Sequence, residues 1–129
     1  MGPDFFELES KEPFAATLKR IEDAITGAGM TIFARIDHAA GAREAGLAMP
    51  PTVVLLYGNP KGGTPMMLAS PRAALDLPLR VLIRQDGERT LVSFYPIAAT
   101  LERAGVPAEL AKKLEPAQQF IAGVTERVA

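Results

Sequence analysis

The 129-residue sequence predicts an α+β fold of order β-α-β(4)-α, an antiparallel-rich sheet with helices mainly on one face and small inserted helices. Three observations lead there. Apolar residues recur at helical spacing near the N-terminus and again through the C-terminal third. Between these regions lie stretches of strand character. Two of them flank Asp86-Gly87, a hairpin signal. The length suits one domain, taken as residues 1–129, and 48% hydrophobic content suits a packed core.

The elements follow in order. "DFFELE", residues 4–9, has the character of a short strand. In the next segment Phe14, Leu18, Ile21 and Ile25 fall on one helical face, with Lys19, Arg20, Glu22 and Asp23 outside. Ser10 is the expected N-cap, and Gly27 or Gly29 the expected stop. In "MTIFARIDH" strict alternation would set Met30, Ile32, Ala34, Ile36 and His38 on one face, and Thr31, Phe33, Arg35 and Asp37 on the other. Asp37 is the candidate N-cap of a short helix over 39–45. "TVVLLYG" is apolar without alternation, as in a central strand. Thr64-Pro65 and Ser70-Pro71 each read as an N-cap followed by proline at N1, opening two more short helices. "LRVLIRQ" and "RTLVSFY" complete the sheet. The C-terminal periodicity from Leu110 to Val128 is interrupted by Pro116, which predicts two helices or one kinked one.

Composition narrows the function classes. Fourteen Lys and Arg against fifteen Asp and Glu leave a net charge of −1, without the basic footprint of nucleic-acid or anionic-membrane binding. No apolar run reaches the ~18 residues of a membrane span. The opening "MGPDFFELES" lacks the basic and apolar regions of a secretory signal, so a cytoplasmic protein is expected. Absence of cysteine removes thiolate nucleophiles and Cys-based metal sites. No HExxH or Asp-rich loop is present, and Met66 and Met67 read as core fillers rather than haem ligands. No metal or cofactor is expected.

His38 is the only histidine. Its ordinary pKa near 6.5 suits acid/base work. It lacks an evident partner, because Asp37 beside it would point to the opposite face of a strand. A structural role, bonded to backbone or carboxylate at the start of the 39–45 helix, is the expectation. "YGNPKGGTPMM" is Gly-rich and follows a strand, but Lys61 precedes the glycines, unlike a Walker A loop. The candidate ligand-binding set is Asp37, His38, Asn59, Lys61, Gly62, Gly63 and Thr64. Glycines there would let backbone N–H groups approach a small anionic or carbonyl ligand. Arg35, Arg80 and Arg84 would form one positive strip if their strands were neighbours.

The strings "GMTIFARIDHAAGAREAGL", "YGNPKGGTPMM" and "SPRAALDLPLRVLI" together resemble the bacterial family called domain of unknown function 302. The residues that carry the resemblance include Gly29, Ile36, Asp37, His38, Gly58, Asn59, Pro60, Pro71, Asp76, Leu77 and Pro78, and the match runs from about Phe5 to Leu114. It implies a fold similar to the TATA-binding-protein-like class and a tendency to form homodimers. It implies no activity, and Gly58 stands where many relatives carry Cys. The function expected is a non-catalytic ligand-binding or interaction module acting as a homodimer. The alternative is an enzyme using His38 with Asp37 and Asn59.

Overall fold

A computed structural model describes residues 5–126. The strands are β1 (Phe6–Ser10), β2 (Thr31–Asp37), β3 (Thr52–Gly58), β4 (Leu79–Asp86) and β5 (Arg89–Phe94). The helices are α1 (Phe14–Gly27), α2 (His38–Glu44), α3 (Pro60–Ala69), α4 (Ile97–Arg103), α5 (Ala108–Ala111) and α6 (Pro116–Glu126). Short 3-10 helices occupy Pro71–Asp76 and Lys112–Leu114. The strands form one antiparallel sheet in the order β1-β5-β4-β3-β2. The fold is α+β, as expected. Residues 1–4, where the first predicted strand would begin, lie outside the described residues.

Helix α1 lies on the sheet through Leu18, Ile21 and Ile25, all buried. Each buried aliphatic of this size contributes roughly 1.5–3 kcal/mol. Ser10 does not cap it. It closes β1, where its buried hydroxyl bonds that of Thr17 at 2.7 Å, and the helix starts after Pro13. Gly29, at φ +81°, turns the chain into β2, a backbone region where glycine is favoured.

Paired residues on antiparallel strands share a face. Val53, Leu55 and Tyr57 of β3 thus lie with Leu79, Val81 and Ile83 of β4 against the helices, all buried. Val54, Leu56 and Leu82 form the opposite, partly exposed face. β2 departs from strict alternation. Its register runs Ile32↔Tyr57 and then Ala34↔Leu56, so Phe33 is a bulge. Beyond it the faces exchange. Ile32 stays on the helix side, whereas Ala34 and Ile36 join the open face. Arg35 therefore turns under α1 and pairs with Glu22 at 3.1 Å. Arg80 and Arg84 lie on the open side, so the positive strip of three arginines is not formed.

The segment after β3 also differs from the sequence reading. Asn59-Pro60, not Thr64-Pro65, opens α3, and Pro65 sits inside it. Ser70-Pro71 does open a short helix, of 3-10 type, and Pro116 begins α6, the two-helix alternative of the sequence reading.

Candidate functional site

Where β3 ends and α3 begins, a cavity of about 450 Å³ opens beside the sheet. Its floor is Tyr57, whose hydroxyl donates to the Ala117 carbonyl at 2.9 Å and ties β3 to α6. Burial pushes the Tyr57 phenol well above its ordinary pKa, because an anion there would lose its hydration. Phe33, at the bulge, and Met30 form one wall. Gly62, Gly63, Thr64 and Met67 of α3 form another, and Leu77, Pro78 and Leu114 close it. Among the described residues, no charged side chain lines it. Met66, by contrast, is core and 2% exposed.

The glycines have a packing reason. A Cβ at Gly62 would stand 3.2 Å from Leu114 Cδ2, closer than side-chain carbons normally approach, and one at Gly63 would stand 3.6 Å from Leu77. They let α3 settle against Leu114 while keeping the cavity open. The N-terminal donors of α3 are already occupied. Asn59 Oδ1 accepts from the Lys61 N–H at 2.9 Å, and the Asn59 carbonyl accepts from Gly62 at 2.9 Å and Gly63 at 3.0 Å. Pro60 has no N–H to offer. The backbone cradle expected for an anion is therefore closed by the helix's own cap. Asn59 keeps its side-chain amide N–H groups, which point to no partner among the described residues.

The expected single surface does not form. Asn59, Gly62, Gly63 and Thr64 converge on the cavity, while the exposed Lys61 lies outside its lining. Asp37 pairs with Val53, at the opposite end of β3 from Asn59. Six residue steps lead from Val53 to Asn59, about 20 Å at the usual rise. Asp37 caps α2 as expected, its Oδ1 accepting from Ala40 N–H at 2.9 Å. His38 is exposed at the first position of α2, and its ring makes no hydrogen bond among the described residues. The bonded, structural histidine expected from sequence is not what the fold builds. Met30, Phe33, Leu77, Pro78 and Leu114 were not in the candidate set. The Leu77-Pro78 pair was visible as a motif, but the bulge that brings Phe33 to the site carries no sequence mark.

Among the described residues no three His, Asp or Glu side chains gather to hold a metal ion. The model of the family described as "Domain of unknown function DUF302" matches residues 6–128. The chain belongs to this family. A crystal structure of an uncharacterized conserved DUF302 protein from Bacillus stearothermophilus superposes with a TM-score of 0.84, covering 99% of this chain and 100% of that one. Identity is 17%, so this likeness concerns the fold alone. An 80-residue stretch, 62% of this chain, is 44% identical to a protein of Brucella suis biovar 1 (strain 1330) named fluoride-specific ion channel FluC 1. A protein of Brucella melitensis biotype 1 named FluC 2 matches at the same 44%. The chain spans about a third of the length of these relatives, 32% and 30% respectively.

Proposed function

We propose that the chain is a non-catalytic module that binds a small, mainly apolar ligand with a carbonyl group, and acts as a homodimer. One observation carries the ligand reading: a 450 Å³ cavity with apolar walls and one polar edge at Asn59 and Thr64. Pockets of this size and character commonly hold small organic molecules. Of the two ligand chemistries expected from sequence, the uncharged lining favours the carbonyl over the anion. The Asn59 amide would donate to it. An enzyme using His38, Asp37 and Asn59 has no support from the geometry, since the first two stand about 20 Å from the third at the usual strand rise.

The open sheet face supports the homodimer. Ile36, 41% exposed, adjoins the partly exposed Val54, Leu56 and Leu82 on three neighbouring strands. A second copy would cover this area. The likeness to proteins named as fluoride channels concerns a third of their length. No helix among the described residues is long and apolar enough to cross a membrane. We assign the matched stretch a binding role rather than a pore.

Nile red, a neutral dye bearing a carbonyl, tests both parts. Saturable binding that is lost in Gly63→Leu but kept in Leu82→Glu supports the cavity. Equal binding in all three proteins refutes it. Light scattering on a size-exclusion column should give twice 13.8 kDa for the parent and 13.8 kDa for Leu82→Glu. A monomeric parent at micromolar concentration refutes the dimer.

A further inference from the structure

A second cavity, of about 770 Å³, opens on the other side of the segment that leads into β4. Its chemistry is different. Arg80 comes from β4, Arg103 from the last turn of α4, and Asp76 from the end of the 3-10 helix. Thr100 and Ala99 precede Arg103 by three and four residues, so the three share one helical face. Tyr95, 67% exposed, adds a ring with a polar tip. The β4–β5 ladder ends at Leu82 and Ser93, and Arg80 and Tyr95 each lie two residues past that end. Both line the cavity.

The two arginines are the informative groups. Arg20, Arg35, Arg84 and Arg89 are all engaged in ion pairs, whereas Arg43, Arg72, Arg80 and Arg103 pair with no carboxylate among the described residues, and of these four Arg80 and Arg103 line the cavity. Two guanidinium groups less one carboxylate leave the lining with a charge of +1. Leu79, Pro96 and Ile97 give it an apolar floor. That floor is held by Gln118, which is 5% exposed. Its Oε1 accepts from the Ile97 N–H at 2.9 Å and its Nε2 donates to the Tyr95 carbonyl at 2.7 Å.

We propose that this cavity is a binding site for a small organic oxyanion, a phosphate monoester or carboxylate, that carries a planar ring. Arg80 and Arg103 take the oxyanion, since the guanidinium fork matches both groups and is always charged. The ring lies over the floor beside Tyr95, and Asp76 accepts from any donor the ligand presents. The volume exceeds what a bare inorganic ion fills, which is why a ring is included.

Calorimetric titration with phenyl phosphate, benzoate, inorganic phosphate and phenol tests this on the full chain. Phenyl phosphate or benzoate should bind saturably, and the tighter of the two identifies the oxyanion. Arg80→Ala and Arg103→Ala should each weaken that binding at least tenfold, while Arg103→Lys should lose less. Both arginines are exposed, so the variants should melt with the parent. Gly63→Leu, which fills the first cavity, should leave the titration unchanged, keeping the two sites distinguishable. The proposal is overturned by no saturable binding of either ring-bearing anion, by binding that survives the double Arg→Ala variant, or by phenol or inorganic phosphate binding as tightly.

Discussion

Replacing Tyr57 by Phe removes one hydroxyl from the fully buried floor of the first cavity and leaves the ring in place. The lost bond is the one to the Ala117 carbonyl at 2.9 Å. That carbonyl lies within α6, where helical pairing gives it a second donor, so the loss is held to about 1–1.5 kcal/mol at pH 7. For a chain of this length that amounts to roughly 4–6 °C in Tm. The pH dependence gives a second signature. Burial raises the native phenol above its ordinary value of 10.0, so the folded chain keeps its proton at a pH where the unfolded chain has begun to lose it. The unfolded state then binds fewer protons, and stability falls by about 1.4 kcal/mol per pH unit above 10. Below pH 10 this group contributes no slope. Tyr57→Phe has nothing to ionise and escapes the decline. Urea unfolding at pH 7, 9 and 11 should show the parent more stable by about 1–1.5 kcal/mol at the first two. By pH 11 that advantage should have vanished. An equal difference at pH 7 and pH 11, or none at pH 7, would refute the assignment of Tyr57 as a buried, protonated tie.

Gln118→Ala should cost about 2–4 kcal/mol in the same assay, because it breaks two buried bonds at once and leaves the Ile97 N–H and Tyr95 carbonyl to find water. A loss under 1 kcal/mol would show that the link is redundant. His38→Gln should shift stability by less than about 0.5 kcal/mol, as expected of an exposed ring without a bond. A larger loss would restore the structural role read from sequence. Gly105→Ala should lower Tm through a strain of about 1–3 kcal/mol, because φ is +99° there and the added Cβ would meet Ser70 Oγ at 3.2 Å. An unchanged melting curve would contradict that backbone conformation.

The order of strands and long helices is legible because period-2 and period-3.6 patterns are set by which face is buried, as in α1 and in β4 up to Arg84, whereas β5 is buried on both faces from Thr90 to Phe94 and is marked by the Asp86-Gly87 hairpin signal instead. What failed was local. The Phe33 bulge costs one residue of register and leaves no mark in the composition, yet it reverses the facing of Ala34, Arg35 and Ile36. For α3, Asn59-Pro60 and Thr64-Pro65 both carry the signature of a helix start. The first prevails because its asparagine bonds the Lys61 N–H, while Pro65 is tolerated one turn further on. Half of the candidate site was legible for the same reason: Asn59 to Thr64 stay together in any fold that keeps a strand before them. Asp37 and His38 share with them only a place at a strand end, and the antiparallel β2–β3 pairing puts that end at the far side of β3.

The five residues from Asp76 to Arg80 enter the sequence reading through a family resemblance, the start of a strand and, for Arg80, a possible strip of arginines. In the fold they form the partition between the two cavities. Leu77 and Pro78 face the apolar one, Asp76 and Arg80 the charged one, and Leu79, 4% exposed, borders both. This segregation follows from the pleat, since Leu79 and Arg80 must point to opposite faces of β4 and the preceding proline denies its nitrogen to any ladder. Apolar and ionic chemistry thus stand back to back across a single backbone. Among the described residues, Leu79 alone lines both cavities.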